Sequence, residues 1–283
     1  MYVCLNGKIV PEGEAKIPVS DRGFLLGDGV FETMRVYDGY LFRLNSHIER
    51  LYSGAERLGI TVPIERERLR EIVYKLISKN GIETGVIRIT LTRGAGGRGI
   101  LPPEDPEPTL VVTASPWCPP SEELYKRGVK VVVSDDPLSF RTERDKHIKP
   151  VSFLFYILRR MDSGGSDVYD VILKDHNGYI TEGTISNVFF VVDDTLYTPP
   201  PELGILMGVT RGVVMELARR IGLNVVEGCY TQEDIEGAHE VFLTNSLIEV
   251  MPVSSLRDKQ FLVGNITKEL ITAYREMVDG ERH

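Results

Sequence analysis

The chain has 283 residues, of which 42% are hydrophobic and 26% are charged, and its formal net charge is −8 at pH 7. These fractions are typical of a globular protein, and an acidic chain without a basic run argues against nucleic acid as a partner. No apolar stretch approaches membrane-spanning length, and the N-terminal MYVCLNGK lacks the charged and hydrophobic regions of a signal peptide. We therefore expect a cytoplasmic protein without a membrane partner.

Cysteine and histidine form no recognisable metal-binding or disulfide pattern. Cys4, Cys118 and Cys229 are odd in number and widely separated, and the five histidines have no metal-ligand spacing. We expect reduced thiols and no metal site.

The N-terminal region predicts strands joined by tight turns. Residues 1–12 alternate around Asn6-Gly7, and VFETMRVYDGYLFRL divides at Asp38-Gly39. Both dipeptides are strong signals for two-residue hairpin turns, so we predict a hairpin at each.

The first strand of VFETMRVYDGYLFRL has one face that combines an aromatic, a polar and a charged residue. Because side chains alternate along a strand, Phe31, Thr33 and Arg35 are expected on one face. Spacing alone leaves two interpretations open: Phe31 in the core with Arg35 in a surface ion pair, or both residues lining a pocket.

Two helices are predicted next. Ser46 and Glu49 have the spacing of a capping box, so the first helix is expected to begin at Ser46, with Arg50 in its first turn. A second helix is expected over residues 65–79 and is closed by Asn80-Gly81.

A Gly-rich stretch follows the predicted strand GVIRITLTRG. The segment GAGGRGILPPEDPEP carries Arg98 but lacks the Gly-Lys-Ser/Thr ending of a nucleotide-binding loop, so we reject that interpretation. Prolines stiffen residues 116–128, which we predict to link an N-terminal domain (1–115) to a C-terminal domain (129–283).

Three features of the C-terminal part have the chemistry needed to hold pyridoxal phosphate. Lys149 precedes a helical apolar run, Glu182 precedes a buried strand expected from Ile185 to Val192, and the helix in ILMGVTRGVVMELARR starts near Val209. A lysine forms a Schiff base with the aldehyde, a carboxylate keeps the pyridine nitrogen protonated, and a helix start binds phosphate.

Glu182 and two other polar residues, Arg50 and Ser246, also have plain structural interpretations. Glu182 with Gly183 can form an ordinary turn, Arg50 can be a solvated helix charge, and Ser246 can belong to a short polar turn after a strand.

Several motifs in this order resemble a known family. NGKIVP, HIERL, YITEGTISNVFFV and TNSLIEVMPV are similar to motifs of the class IV aminotransferases of pyridoxal phosphate fold type IV. That family includes branched-chain aminotransferases, D-amino-acid aminotransferases and 4-amino-4-deoxychorismate lyases. The resemblance covers nearly the whole chain. It implies a mixed α/β fold of two domains with the cofactor in the cleft between them, and a homodimer in which the partner's loop helps to close the active site.

The resemblance also implies roles for individual residues. Lys149 corresponds to the Schiff-base lysine, Glu182 to the carboxylate at the ring nitrogen, and Leu206 to the residue packed on the ring. The phosphate is then bound by Arg50, by the helix start at Val209 and Thr210, and by Ser246 with the backbone of Leu247. Among the substrate-binding residues are Phe31 and Arg35 on their strand, and Arg98 on its loop.

Lys146 competes with Lys149 for the Schiff base. We prefer Lys149 because the family's lysine follows an apolar residue, here Ile148, and leads into a helix. The chain departs from the K-T-x-N-Y-L pattern of many relatives, since Phe153 stands where they have a tyrosine that hydrogen-bonds the cofactor's phenolic oxygen. Tyr156 or water supplies that bond, or the Schiff base has a shifted pKa; the sequence leaves these alternatives open.

Two enzymatic functions fit the motifs. The first is a transaminase that moves an amino group between an amino acid, with branched-chain L-amino acids favoured, and a 2-oxo acid; D-amino acids and (R)-amines stay open as donors. The second is an aminodeoxychorismate lyase, favoured by Thr33 in FETMR and by TNSLIEVMPV. The loop TRGAGGRG and the helix start GVTR also occur in transaminases, which we prefer. The intact set of Lys149, Glu182 and Arg50 argues against a non-enzymatic homologue.

Overall fold

The structure is a computed structural model that describes residues 1–96, 99–137, 147–163, 165 and 167–282. Over this part the chain divides into two compact units, Met1–Cys118 with Ile148–Phe153, and Pro119–His147 with Leu154–His283. The segment Ile148–Phe153, which the domain prediction assigned to the C-terminal domain, thus groups with the first unit.

The first unit is built on one antiparallel sheet with helices packed against it. Its strands are β1 (Tyr2–Leu5), β2 (Lys8–Pro11), β3 (Gly29–Tyr37), β4 (Tyr40–Leu41), β5 (Thr84–Ala95) and β6 (Glu107–Pro116). Its helices are α1 (Arg22–Leu26), α2 (Leu44–Leu58) and α3 (Arg66–Asn80). In the described residues the sheet has six strands in the order β2-β1-β6-β5-β3-β4.

Both predicted hairpins are confirmed, at β1–β2 and at β3–β4. Asn6 and Gly7 have φ of 48° and 79°, and Asp38 and Gly39 have φ of 48° and 77°. Two successive residues of positive φ match the right-handed twist of the flanking strands, and asparagine, aspartate and glycine tolerate this conformation best.

The two predicted helices exist, but the start of the first one was predicted wrongly. Helix α2 begins at Leu44, after Arg43 with φ of 56°, and no side chain caps it in the described part of the chain. Ser46 lies inside the first turn, where it cannot act as the N-cap of a capping box. Helix α3 ends at Asn80 before Gly81, whose φ is 62°, as its Asn-Gly pair predicts.

The helices of the first unit bury their apolar faces on the sheet. Val36 of β3 and Ile89 of β5 join Ile48 of α2 and Leu69 and Leu76 of α3 in one buried cluster. This packing fixes α2 against β3, the pair of elements that holds several of the predicted site residues.

The second unit contains a larger mixed sheet. Its strands are β7 (Val129–Val133), β8 (Val168–Lys174), β9 (Ile180–Gly183), β10 (Asn187–Val192), β11 (Thr195–Thr198), β12 (Asn224–Glu227), β13 (Glu240–Asn245), β14 (Glu249–Leu256) and β15 (Lys259–Gln260). In the described residues it has nine strands in the order β12-β11-β10-β13-β14-β7-β8-β9, with β15 paired to β14. The pairs β11–β12, β14–β7 and β7–β8 are parallel.

Five α-helices belong to the second unit in its described residues. They are α4 (Glu122–Arg127), α5 (Leu154–Asp162), α6 (Val209–Arg220), α7 (Gln232–Glu236) and α8 (Asn265–Arg282). Helix α4 lies in the segment predicted as a linker. Helices α5 and α6 confirm the helices predicted after Lys149 and near Val209. Among the described helices, none combines the length and apolar character needed to cross a membrane.

The stretch around Glu182 differs in part from its prediction. Glu182 precedes the buried strand β10, as predicted, but it lies in a short strand of its own, β9, and Ile185 is 51% exposed in the turn between β9 and β10. The prediction that Ile185 belongs to a buried strand is therefore wrong. The backbone turns here because Gly183 N–H donates to the carbonyl of Ser186 at 2.7 Å. The strand itself is confirmed as β10, in which residues 188–191 are buried and Val192 is partly buried.

Candidate functional site

Lys149 is fixed to the edge of strand β3. The Phe31 N–H donates to the Lys149 carbonyl at 3.0 Å, and the Val151 N–H donates to the Gly29 carbonyl at 2.9 Å. Between these bonds, Val30 and Pro150 form an antiparallel bridge. The predicted Schiff-base lysine thus has a backbone held by a strand.

The Lys149 side chain lies against the Phe31 ring. Its Nζ is 4.6 Å from the centroid of the Phe31 ring, and the Phe31 ring meets the Phe153 ring edge to face, at 5.2 Å between centroids. Phe153 therefore packs as an apolar wall at the position where many relatives have a tyrosine. Lys146 and Arg98, the other predicted candidates of this region, lie outside the described residues.

Arg50 is held by a buried carboxylate that the sequence analysis did not single out. Arg50 donates from Nε to Glu32 Oε1 at 2.7 Å and from Nη2 to Glu32 Oε2 at 2.8 Å. His47 Nδ1 contacts Glu32 Oε2 at 2.7 Å. The available signal was a glutamate on the face of β3 that carries Val30 and Met34, opposite a helix that presents His47 and Arg50 three residues apart.

The charges of this cluster follow from its contacts. Burial opposes ionisation of Glu32, but the charge and hydrogen bonds of Arg50 and the hydrogen bond with His47 lower the pKa of Glu32 to about 2. Burial also lowers the pKa of His47 below its ordinary value, against the pull of Glu32. At neutral pH, Glu32 is therefore an anion and His47 is neutral. We assign the imidazole proton to Nδ1, where it is donated to Glu32.

Arg88, another residue that the sequence did not single out, contacts the same aromatic ring as Lys149. Arg88 of β5 pairs with Thr33 of β3, and its Cζ lies 3.8 Å from the centroid of the Phe31 ring. It donates to Thr90 Oγ1 at 3.3 Å, and it has no carboxylate partner among the described residues. Burial lowers the pKa of this half-buried guanidinium, which is still a cation at neutral pH because its ordinary value is so high.

Arg35, the predicted substrate-binding arginine of β3, lies among aromatic rings. Its Cζ is 4.3 Å from the centroid of the Tyr37 ring and 5.5 Å from that of Trp117. The interpretation of Phe31 as a purely core residue is too simple, because its ring is buried yet contacts both Lys149 and Arg88.

In the second unit, Glu182 and Leu206 are directly bonded. Glu182 is buried, and its Oε2 accepts the Leu206 N–H at 2.7 Å. The Leu206 carbonyl accepts Asn187 Nδ2 at 2.8 Å. Gly208 follows, and a Cβ at this position would lie 2.1 Å from Asn187 Oδ1, so the close approach of the chain requires glycine. Two predicted cofactor-binding residues are thus brought together beside the start of α6.

The start of α6 has the form of an anion-binding site. Gly208 is its N-cap, no side chain caps it in the described part of the chain, and Val209 and Thr210 are its first residues. The first amides of a helix have no partner within the helix and lie at the positive end of its dipole. Thr210 is buried.

The second predicted phosphate-binding element follows β13. Asn245 Oδ1 accepts the N–H groups of Leu247 at 2.8 Å and Ile248 at 3.0 Å, and Asn245 Nδ2 donates to the Ile185 carbonyl at 3.0 Å. Because the Leu247 amide already has a partner, a phosphate here would share that donor or bind Ser246. The role of both residues stays a prediction.

A buried aspartate shapes the turn that follows Glu182. Asp170 of β8 accepts hydrogen bonds from the Thr184 N–H at 3.0 Å, from Thr184 Oγ1 at 2.5 Å and from Ser186 Oγ at 2.6 Å. Burial raises the pKa of Asp170, and these hydrogen bonds oppose the rise. The turn that directs Glu182 is therefore held by a side chain from a neighbouring strand.

Comparison with known proteins connects these features to a family. The model of the family described as amino-transferase class IV matches residues 29–256. The chain is 36% identical over 282 residues to a "putative branched-chain-amino-acid aminotransferase" of Methanocaldococcus jannaschii, covering 98% of this chain and 96% of that protein. It is 32% identical over 267 residues to a D-alanine aminotransferase of Listeria monocytogenes, covering 93% of this chain and 90% of that one.

Solved structures give the same result for the fold. The branched-chain amino acid aminotransferase of Escherichia coli matches with a TM-score of 0.93 and 29% identity, over 99% of this chain and 95% of that one. The 4-amino-4-deoxychorismate lyase of Pseudomonas aeruginosa matches with a TM-score of 0.88 and 29% identity, over 98% and 99% of the two chains. The predicted α/β architecture of fold type IV is therefore confirmed.

The assignment of the Schiff-base lysine can be tested by trapping. Borohydride reduction of the protein loaded with pyridoxal phosphate should attach the cofactor to Lys149, because reduction makes a lysine Schiff base permanent. Peptide mass spectrometry then identifies the labelled lysine. Lys149→Ala should abolish labelling, and the control Lys146→Arg should retain it. A label on Lys146 in the unmodified protein would show that our choice of lysine is wrong.

Proposed function

The chain belongs to the class IV aminotransferases, enzymes that use pyridoxal phosphate, and we propose that it transfers the amino group of a branched-chain L-amino acid to a 2-oxo acid. The observation that carries this preference is the apolar wall of Phe31 and Phe153 beside Lys149. Such a wall suits an aliphatic side chain. The similarity to a protein and to a solved structure named for branched-chain substrates supports the same choice.

The residues of each unit fit the cofactor. The first unit offers the amine of Lys149 and the guanidinium fork of Arg50, and the second offers the buried Glu182 carboxylate and the uncapped start of α6. These groups match the aldehyde, the phosphate and the ring nitrogen of pyridoxal phosphate. When bound, this cofactor supplies an electron-withdrawing ring that stabilises negative charge at the substrate Cα.

Each of these protein groups has a separate role in the proposed reaction. Lys149 Nζ holds the cofactor and, once released, takes the proton from the substrate Cα as a general base. Glu182 keeps the ring nitrogen protonated. We assign phosphate binding to Arg50, to Val209 and Thr210 at the start of α6, and to Ser246 with Leu247. Leu206, fixed by its bond to Glu182, packs on the ring.

Arg88 provides a binding group for a substrate carboxylate. It is a half-buried cation without a carboxylate partner in the described residues, and it contacts the same ring as Lys149. The carboxylate next to the reacting carbon has to lie close to Lys149. Arg88 reaches the same ring from strand β5, and we propose that it binds the distal carboxylate of a dicarboxylic acceptor such as 2-oxoglutarate. Phe31 and Arg35 complete the substrate residues that we propose on this strand.

A lyase is the second candidate. The similarity to the lyase of Pseudomonas aeruginosa and the presence of Thr33 in FETMR favour it. The similarity to D-alanine aminotransferases keeps D-amino acids as alternative donors, with (R)-amines open in the same way. All three outcomes use the same lysine and the same cofactor.

We further propose a homodimer, in which an exposed apolar surface of the first unit is covered by a second copy. Phe24 of α1 is 77% exposed and Ile100 is 87% exposed. Arg22 joins these segments, since its guanidinium donates to the carbonyls of Gly99 at 3.0 Å and Ile100 at 2.8 Å. Other exposed apolar residues of the same two segments are Val19, Leu25 and Leu101. Contiguous exposed apolar surface of this kind marks interaction sites in soluble proteins.

Helix α5 in the second unit carries another exposed apolar stripe. Leu154, Ile157, Leu158 and Met161 are all exposed, and they recur at the spacing of one helix face. Leaving such a face in water is unfavourable, so the stripe also supports association with a second copy.

Single-substrate half-reactions test the proposed function. L-Leucine, L-valine or L-isoleucine added to the loaded enzyme should convert the cofactor to its amine form, seen as a change in visible absorbance and as one equivalent of 2-oxo acid. Conversion by D-alanine or an (R)-amine alone would move the enzyme to another branch of the family. Absence of conversion with every donor, together with pyruvate release from aminodeoxychorismate, would identify the lyase.

The role of Arg88 predicts a selective loss. Arg88→Gln should raise the KM for 2-oxoglutarate about 10- to 100-fold, because a charge-assisted hydrogen bond contributes about 1.5–3 kcal/mol. The KM for 4-methyl-2-oxopentanoate, which lacks the distal carboxylate, should change little. Steady-state kinetics with both acceptors measure this, and Arg70→Gln on α3 is a control for the loss of a positive charge. Equal increases for both acceptors would place Arg88 at the shared carboxylate instead.

Dimerisation through the Phe24 surface can be measured by light scattering. The unmodified protein should have twice the mass of its chain, and Phe24→Asp should shift it towards the monomer because a charge would be buried in an apolar interface. Leu262→Asp is the control, since Leu262 is 83% exposed and lies far along the chain in the second unit. A monomeric unmodified protein, or a dimer unaffected by Phe24→Asp, would contradict this interface.

A further inference from the structure

The buried Glu32 has no role in the proposed function, although a buried carboxylate is energetically unfavourable without partners. It lies on the face of β3 that carries Val30, Met34 and Val36, all buried in the core of the first unit. Its own side chain is fully buried. Burial of a carboxylate is unfavourable unless it is well paired, so a glutamate here requires partners that compensate for lost hydration.

Helix α2 provides both partners from one face. His47 and Arg50 are three residues apart, so they lie on adjacent turns and point to the same side of the helix. The helix also approaches β3 closely, because a Cβ on Gly54 would lie only 3.4 Å from Val30 Cγ1. Glu32 therefore bridges strand and helix at a point where their distance is fixed by packing.

The ion pair with Glu32 determines the orientation of the Arg50 guanidinium plane. Nε and one N–H of Nη2 bind the two carboxylate oxygens, and the side chain is 14% exposed. Since a guanidinium is planar, this pairing turns its other three N–H groups away from Glu32. Arg50 is thus oriented before any phosphate reaches it.

Strand β3 also holds the backbone of Lys149. Phe31, the residue before Glu32, donates its N–H to the Lys149 carbonyl. The side chain of Glu32 and the backbone of Phe31 therefore place Arg50 and Lys149 relative to the same two residues of one strand. A ligand attached to both would have its phosphate end and its aldehyde end positioned by this strand.

We propose that Glu32 is a positioning residue for the cofactor phosphate: it holds the Arg50 guanidinium in the binding orientation, and His47 keeps the Glu32 carboxylate aligned. This inference rests on the proposed use of Arg50 as a phosphate ligand. Glu32 itself does not touch the phosphate in this arrangement, and it acts through Arg50.

Charge and orientation predict opposite effects of removing Glu32. An ionised Glu32 offsets the charge of Arg50 and repels a phosphate nearby. If charge alone mattered, Glu32→Gln would bind pyridoxal phosphate more tightly. If Glu32 acts by orienting Arg50, the same substitution weakens binding, because the glutamine amide offers only one acceptor oxygen to the guanidinium.

The experiment measures release of pyridoxal phosphate from the holoenzyme. Glu32→Gln should raise its dissociation constant about 10- to 100-fold, the effect expected for a lost charge-assisted hydrogen bond. The 31P resonance of the bound cofactor should also shift, since it reports contacts of the phosphate itself. Glu240→Gln is the matched control, because Glu240 is a buried carboxylate that accepts the Thr267 N–H at 2.8 Å at the start of α8. This control should lower thermal stability without changing the 31P resonance.

A double-substitution cycle separates orientation from general structural support. Arg50→Lys should weaken binding, and Glu32→Gln added to it should cause no further loss, because a lysine has no planar fork to orient. Glu32→Asp keeps the charge with a shorter side chain and should give an intermediate loss of cofactor affinity. This variant replaces Glu32→Gln in the experiment if Glu32→Gln does not fold. Independent losses from the two substitutions would overturn the proposal.

The outcomes distinguish this proposal from the proposed function. An unmodified protein that never binds pyridoxal phosphate would overturn both. A Glu32→Gln enzyme that binds the cofactor as tightly as the unmodified enzyme, or more tightly, would overturn the positioning role and leave the transaminase function intact. Reduced thermal stability with an unchanged dissociation constant and 31P resonance would likewise make Glu32 a structural residue only.

Discussion

The hydrogen bond from the Phe31 N–H to the Lys149 carbonyl is the constraint on which the lysine's position depends. Strand β3 pairs with β5 along its whole length, so its backbone is rigid where Phe31 meets Lys149. The segment that carries the lysine is thereby attached to the sheet of the first unit, although its neighbours in sequence belong to the second. A lysine held this way loses backbone freedom during folding rather than at the moment of reaction.

A comparable set of bonds organises the second unit around Leu206. Glu182 and Asn187 bind its N–H and its carbonyl, and they stand at the two ends of the turn between β9 and β10. Gly183 is required in that turn, since a Cβ would lie 2.3 Å from Ser186 Oγ and 2.4 Å from Asp170 Oδ2. The motif TEGTISN is therefore a structural unit in which one carboxylate faces Leu206 and the remaining polar groups shape the turn that presents it.

The sequence predicts well those features that residues adjacent in the chain determine. The hairpin at Asn6-Gly7 and the end of α3 at Gly81 depend on local backbone conformation, and both are confirmed. Errors arise where distant residues decide. The Ser46 capping box failed because α2 begins at Leu44 instead, and Ile185 was assigned to a strand because no local pattern shows that Asp170 organises its turn.

The same distinction between local and distant signals applies to the candidate site residues. Lys149 and Glu182 stand out because each interrupts or borders an apolar run, which a sequence shows directly. Glu32 and Arg88 were missed because their significance lies in partners from other elements. In the sequence, Glu32 is one glutamate within a strand and Arg88 is one arginine within another. Their contacts, with His47 and Arg50 for Glu32 and with the Phe31 ring for Arg88, are visible only in the structure.

The buried carboxylates of the two units show why the kind of partner matters more than burial. Asp170 receives its hydrogen bonds from hydroxyl and backbone groups, and burial raises its pKa. Glu32 is equally buried, yet the guanidinium of Arg50 lowers its pKa to about 2. Glu32 therefore stays ionised wherever the protein is folded near neutral pH, and the bond to Arg50 does not switch with pH. A permanent anchor suits the phosphate-binding role that we propose for Arg50, because in that role the phosphate has to stay bound while the link between cofactor and lysine is exchanged.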